Sequence, residues 1–273
     1  SPEASRSFYS AMFKAAKASQ GMVAFEHDFV GQDSLDFGWT SVYNAGSQWL
    51  QGLGKAAESL KVPMQLCLVT ASDLLESLTI PWVTNARASG DYAFCADSWD
   101  IGDSGMLHWA VGVRPFKDVF WSRAYQEGSP YENTTLFPSM YKKCRQNPEG
   151  VHKQPNVQID ALVSAFSTGP VGIGDGLGQT DANLVLSTCR ADGVLLHPSK
   201  PLSPLDRTWW PSSSPKPPSW LLGSYSHVGG GSSLWQYVVA IDSPCESTPP
   251  IAQDDLYWPA AAISGVQASS HAV

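Results

Sequence analysis

Hydrophobic residues recur at helical spacing over residues 8–20 (FYSAMFKAAKASQ), and Gly21 stops the run. A short apolar stretch, Met22-Val23-Ala24-Phe25, follows at once and closes on Glu26-His27-Asp28. After a loop to about Trp39, a helix is predicted from Thr40 or Ser41 to Leu60, through Val42, Ala45, Trp49, Leu50 and Leu53. Pro63 breaks that pattern, and residues 64–69 (MQLCLV) form a continuous apolar run of the buried-strand type. A short helix opening at Ser72-Asp73 and a strand over 81–86 come next. A loop through Cys95 and Trp99, a helix over 106–113 and a strand over 118–121 follow. Residues 125–155 are polar and rich in Pro, Asn and Gly, an excursion long enough to be functional or mobile. A helix at 157–167, a strand at 169–175 and a helix at 180–189 bring the count to five strand-then-helix units.

That alternation predicts an α/β fold with parallel strands joined by crossover helices. Past Ala191-Asp192-Gly193 the texture changes. Short β-like runs (VLLH, WLLGSYSHV, SLWQYVVAID) are separated by turns such as Pro211-Ser212-Ser213-Ser214-Pro215. The expected domains are therefore 1–191, carrying the parallel strands, and 192–273, a small antiparallel, sandwich-like β-domain. The stretch from Ala260 onward has little to pack.

Composition narrows the function classes. With 43% hydrophobic and 15% charged residues the chain can build a substantial core. A net charge of −8 disfavours nucleic acid and anionic membrane as partners. No apolar stretch approaches the roughly 18 residues that a membrane span requires. Eleven tryptophans in 273 residues is a high count, suited to sugar stacking or to large buried cores. The five cysteines (Cys67, Cys95, Cys144, Cys189, Cys245) lack metal-ligand spacing, so no metal site is expected. Cys95 and Cys144 fall in loops and are the expected disulfide formers, with partners not deducible; Cys67, inside an apolar run, reads as a small buried residue. Asn133-Thr134-Thr135 is an N-glycosylation acceptor, and with the cysteines it favours a secreted or lumenal protein. The N-terminal residues 1–5 carry no signal-peptide pattern.

The chemistry gathers where strands end. In α/β barrels catalytic groups sit on the loops that follow the strands, and Asp28 ends the first strand of this chain. It is either a catalytic carboxylate or a helix-capping aspartate. Arg87-Ala88-Ser89-Gly90-Asp91 follows a later strand and would face the same mouth. Two carboxylates from different strands beside an arginine is the equipment of a glycosidase: one attacks the anomeric carbon and the other protonates the leaving oxygen. Arg87 would grip a carboxylate or a sugar hydroxyl, or form a structural ion pair with Asp91.

These segments resemble a clan of retaining glycoside hydrolases that includes melibiase-type α-galactosidases and raffinose synthases. In that clan the nucleophilic aspartate ends the fourth barrel strand, the place Asp28 takes here. The clan's acid/base aspartate closes a run like Arg-Ala-Ser-Asp-Asp on strand six, which 87–91 matches except at Gly90. Residues 115–121 (PFKDVFW) resemble strand seven, and 169–179 (GPVGIGDGLGQ) resemble strand eight with its loop. The resemblance spans about residues 8–204 and implies the last five strands of a (β/α)8 TIM barrel followed by the clan's C-terminal β-domain. It assigns Asp28 as nucleophile and Asp91 as acid/base. Glu26 stands where α-galactosidases of the clan place a lysine that holds sugar hydroxyls, so the resemblance does not carry galactose specificity.

Five strands cannot close a barrel, so the first three are expected from a companion polypeptide, most simply the N-terminal part of the same precursor after cleavage, or from a missing N-terminal part of a larger protein. Asp118 and Asp175 end the seventh- and eighth-strand segments and either bind substrate hydroxyls or cap the next helix. Trp39, Trp99 and Trp121 either stack on a sugar or fill the core. His27 points to the face opposite Asp28 and reads as structural, and His108 as packing. The glycines of 169–178 lack the features of a phosphate loop. The expected activity is hydrolysis of a terminal sugar of an oligosaccharide or glycan through a covalent glycosyl-aspartate, without metal or organic cofactor. The alternatives are a transglycosylase of raffinose synthase type and a non-catalytic glycan-binding or structural subunit of a secreted assembly.

Overall fold

The computed structural model describes residues 4–36, 43–93, 101–128, 153–154, 156–205, 220–228 and 233–241. The chain divides into two compact units, Ser1–His197 and Pro198–Val273. The division falls later than the expected 191/192 because residues 189–197 turn back within the first unit. Cys189 bridges Leu195, and His197 Nδ1 donates to the Ala165 carbonyl.

The first unit is mixed α/β. In chain order it contains α1 (Ser5–Gln20), β1 (Phe25–His27), α2 (Val30–Asp36), α3 (Ala45–Leu60), β2 (Met64–Leu66), α4 (Ala71–Ser77), β3 (Val83–Arg87), α5 (Gly102–Ala110), β4 (Arg114–Phe116), α6 (Val157–Phe166) and α7 (Ala182–Leu186). Its strands form a four-stranded parallel sheet in the order β1-β2-β3-β4. A fifth parallel segment joins by a single bridge, Phe120 to Ile173, with Phe120 N–H donating to Gly172 and Gly174 N–H to Phe120. Gly169 admits that segment, since a Cβ there would lie 2.5 Å from the Pro115 carbonyl oxygen.

Two of the expected elements moved. The fourth strand is Arg114–Phe116, not 118–121, which contributes only the Phe120 bridge. Asp118 draws the chain out of the ladder there, because its carboxylate takes the N–H groups of Tyr92 and Val119. The expected loop after Asp28 holds α2, whose start is tied to the end of β2 by Val30 N–H to Cys67 and Gly31 N–H to Leu68.

Helices α1 and α3 pack over one face of the sheet. In α1 the buried stripe is Ser5, Tyr9 and Phe13, at i, i+4 and i+8; in α3 it includes Trp49, Leu50, Leu53, Ala56 and Ala57. They meet Met64, Leu66, Val83 and Ala86 from the strands in one apolar core. Gly52 sets how closely the helices approach, because a Cβ there would overlap the Ser5 side chain and the Arg6 backbone. Lys17 Nζ donates to the Leu60 carbonyl at the end of α3, where the helix dipole favours a cation. A capping box between Thr70 and Asp73 starts α4.

The second unit is a three-stranded antiparallel sheet, β5 (Lys200–Pro204), β6 (Trp220–Val228) and β7 (Ser233–Ile241), in that order. The expected β-run VLLH is not part of it; β5, interrupted by Pro201 and Pro204, takes that place. Cys67 and Cys189 are free thiols. Cys95, Cys144 and Cys245, Asn133, Trp39 and Trp99 lie outside the described residues. Among the described residues no helix is long and apolar enough to cross a membrane, and no cluster of His, Cys, Asp and Glu has metal-binding form.

Gly52→Leu forces α1 away from α3 and is expected to lower stability by about 1–3 kcal/mol in urea unfolding. Leu78→Ala, at a side chain 60% exposed, should change it by less than about 0.5 kcal/mol. His108 is buried on α5, its Nδ1–H donating to the Ser104 carbonyl, and burial holds its pKa below the usual 6.5. The native ring stays neutral where the unfolded ring takes up a proton, so its contribution is complete above pH 6.5 and is lost as the pH falls below it. Thermal unfolding of wild type against His108→Gln should show this loss, at most about 1.4 kcal/mol per pH unit, in wild type only.

Candidate active site at the carboxyl end of the sheet

Alternation along short parallel strands divides their side chains between two faces. Phe25, His27, Met64, Leu66, Val83 and Ala86 face the α1/α3 core. The other face carries a polar row in register across all four strands: Glu26 opposite Gln65, Gln65 opposite Asn85, and Asn85 opposite Arg114. The next row on that face, at the carboxyl ends of the strands, is Asp28, Cys67, Arg87 and Phe116. A parallel sheet is ordinarily apolar on both faces because helices cover both. Here one face is polar, and its chemistry increases toward the strand ends.

Asp28 is exposed and follows β1, with one carboxylate oxygen accepting from the Phe29 N–H at 2.7 Å. The Cys67 thiol lies beside this carboxylate. Burial, reinforced by its hydrogen bond to Asp28, pushes the thiol pKa up to about 12, so Cys67 stays protonated and is no nucleophile. The ends of β1 and β2 turn sharply: Phe29 has φ 56° and Leu68 has φ 52°, both left-handed for side chains that rarely adopt it. Strain of this kind, on the order of 1–3 kcal/mol per residue, clusters at functional sites.

Arg87 ends β3 with its side chain only 8% exposed. Its Nη2 donates to Asp91 at 2.6 Å and its Nη1 faces Asp118 at 3.2 Å. Burial opposes the guanidinium charge, but Asp118 and Asp91 outweigh it and hold the pKa above its ordinary value. The two carboxylates differ in freedom. Asp118 is largely covered, one oxygen shared by Arg87 and the Tyr92 N–H (2.7 Å), the other taken by the Val119 N–H (2.9 Å). Asp91 is 72% exposed and faces outward from Arg87. Asp118 is thus held by three donors, while among the described residues Asp91 is held by Arg87 alone and stays open to solvent. Gly90, the one departure in the 87–91 run, is not sterically required, since a Cβ there would meet nothing within 4 Å.

The loop carrying Asp91 is anchored by groups that pattern reading passed over. The Tyr92 hydroxyl accepts from the Trp121 N–H (3.2 Å) and the Gln154 side chain (3.4 Å). Lys117 Nζ lies 5.2 Å from the Tyr92 ring centre and 3.2 Å from Asp160 of α6, and Gln154 donates to the same carboxylate. Lys117 and Asp160 are fully buried. Burial lowers the lysine pKa, and Asp160 resists that shift. Lys117 and Asp118 both follow the end of β4 at Phe116, and nothing in their local pattern points to Asp160 or Tyr92.

Asp28, Arg87, Asp91 and Asp118 are thus brought to one end of one sheet. Glu26 lies on the same face, one row down and exposed. Two other candidates serve the fold. Trp121 is 4% exposed in a second core with Tyr92, Phe120 and Ala161. Asp175 is occupied by the turn at 122–126, accepting from Ser122 N–H and Oγ–H and from Gln126.

Removing one partner of the Lys117–Asp160 pair leaves a buried charge uncompensated, so Asp160→Asn should cost about 3–5 kcal/mol in chemical denaturation. The double variant Lys117→Met, Asp160→Leu should lie much closer to wild type. The sequence matches no protein-family model, and no curated protein matches it either.

Proposed function

We propose that this chain supplies the catalytic half of a retaining exo-glycosidase similar to the α-galactosidase and raffinose synthase clan. The observation that carries the reading is the register of the sheet, which sets Asp28 on β1 and the Arg87–Asp91 pair beyond β3 at the same end, with Cys67 between them. Backbones of β1 and β3 lie about 10 Å apart across β2, a span that two converging carboxylates and one sugar ring fill.

In this mechanism the Asp28 carboxylate attacks the anomeric carbon and forms a glycosyl ester. The bond from that carbon to the leaving oxygen breaks as Asp91 delivers its proton to that oxygen. Water then attacks the same carbon, Asp91 takes its proton, and the ester bond to Asp28 breaks. Arg87 positions Asp91 and, with Asp118 held on its other nitrogen, returns it to one place after each cycle. The polar row below, Glu26 to Arg114, lines the floor of the sugar site.

The four strands and the Phe120–Ile173 bridge correspond in this reading to strands four to eight of a (β/α)8 barrel. Among the described residues β1 pairs only with β2, through Phe25 and His27, which turns the Glu26 amide and carbonyl toward the opposite edge. A companion segment with three parallel strands would take up that edge and enclose the polar face. Intact-mass measurement of the purified protein tests this by revealing a second chain or a longer precursor.

With the barrel-completing segment present, Asp28→Asn is expected to abolish turnover of aryl α-glycosides. Asp28→Gly should regain turnover with azide and yield a glycosyl azide of inverted configuration. Asp91→Asn should slow unactivated oligosaccharides by about 10²–10⁴-fold while sparing glycosides with good leaving groups. Turnover by Asp28→Asn at the wild-type rate, or a mechanism-based fluoroglycoside that labels another residue, refutes the assignment.

A further inference from the structure

The face of β1 opposite the site holds a hydrogen-bond chain that ends on the proposed nucleophile. Its first member is Trp49 of α3, whose indole hydrogen-bonds the Tyr9 hydroxyl. Tyr9 of α1 lies 2.8 Å from His27 Nε2, and His27 Nδ1 lies 2.7 Å from the backbone carbonyl oxygen of Asp28. Tyr9, Trp49 and His27 are all buried, and the Trp49 and His27 rings stack edge to face at 5.0 Å.

The two ends of the chain fix its direction. An indole can only donate and a carbonyl can only accept. The Tyr9 oxygen therefore accepts from Trp49 and its O–H donates to His27 Nε2. The Asp28 carbonyl requires a proton on Nδ1, and in the neutral ring Nε2 is then bare and accepts the Tyr9 O–H. Burial raises the Tyr9 pKa to about 12, so the phenol keeps its proton throughout the neutral range. Asp33 of α2 lies 3.8 Å from Nε2, beyond hydrogen-bond distance.

Each link in a chain of this polarity strengthens the next. What the last link holds is the peptide of Asp28, immediately before Phe29 in its left-handed conformation. The carbonyl is fixed from behind by His27, and the carboxylate from in front by the Phe29 N–H. Neither constraint alone sets the carboxylate direction. Together they hold the residue from both sides of its peptide, with the carboxylate beside the Cys67 thiol.

We propose that Trp49, Tyr9 and His27 form a one-way relay of hydrogen bonds that positions the Asp28 carboxylate for attack, with His27 as a neutral Nδ1–H imidazole. This rests on Asp28 being the nucleophile. Tyr9 and His27 are positioning residues, on the far side of the strand from the substrate.

Long-range proton–nitrogen correlation on histidine-labelled protein, with the barrel-completing segment present, tests the relay without reference to activity. His27 should show a protonated Nδ1 and an unprotonated Nε2 at neutral pH, and Tyr9→Phe should shift the Nε2 resonance to that of a nitrogen without a hydrogen bond while Nδ1 keeps its proton. A wild-type Nε2–H tautomer or an imidazolium overturns the proposal. Kinetics then test positioning. Tyr9→Phe should lower kcat, and the rate of covalent labelling of Asp28 by a fluoroglycoside, about tenfold with KM within about twofold. His27→Asn, whose amide N–H can occupy the place of Nδ1–H, should stay within about threefold of wild type, and His27→Gln should lose about tenfold or more. Unchanged kcat in Tyr9→Phe and His27→Gln overturns it, as does a loss that only tracks the unfolded fraction in thermal melts. Asp28→Asn is the control that separates the two ideas. If it turns over normally the nucleophile assignment fails and positioning fails with it, while the tautomer still reports whether the relay exists.

Discussion

Packing of α1 and α3 against one face of a short parallel sheet assigns each strand residue to one of two environments. Side chains that meet the helices must be apolar, and Met64, Leu66, Val83 and Ala86 are. Alternation, adjusted in β3 by one extra residue between Val83 and Asn85, then delivers the intervening polar residues to the other face, where no such requirement acts. That is why Glu26, Gln65, Asn85 and Arg114 stand in register, and why Asp28, Cys67 and Arg87 meet at the strand ends. A slip of one residue in any strand would bring its polar row under the helices and desolvate it. The apolar packing thus enforces the polar arrangement.

Electrostatics refines what the register provides. Arg87 stands between two carboxylates, and the hydrogen bonds on Asp118 make that side fixed while Asp91 keeps access to solvent. Beneath it, Lys117 and Asp160 form a buried pair beside the Tyr92 ring. Such a pair contributes little net stability against an apolar replacement, but it admits only one geometry. Tyr92, next to Asp91, is therefore held in place by charge and aromatic contacts as well as by packing. On the β1 side the same result comes from neutral hydrogen bonds, through His27 and Tyr9.

Much of the fold was legible in the residues. The Ala-rich run before Gly21, the stripe of Trp49, Leu50 and Leu53, and the apolar run from Met64 each became the element their spacing predicted. The change of texture after Gly193 foretold a separate antiparallel sheet, although β5 was hidden by its prolines. Two elements escaped for identifiable reasons. The α2 helix has no apolar periodicity and is started by backbone bonds to the end of β2. The fourth strand shifted to Arg114–Phe116 because Asp118 engages a loop 26 residues away in sequence, a partner that local pattern cannot reveal.

The sequence by itself marked Asp28 and Asp91 as carboxylates that come after apolar runs, while it read Asp118 into a strand over 118–121. Strand ends are marked locally, by an apolar run that stops. Only the tertiary structure decided among them. It placed Asp175 in a turn and Trp121 in a core, fixed Asp118 on Arg87, and left Asp28 beside Cys67 and Asp91 on Arg87 both exposed to solvent. Whether an acidic side chain is occupied or free depends on donors that arrive from distant segments. The direction of a hydrogen-bond chain likewise depends on what stands at both of its ends, and a linear reading of residues sees only one end at a time.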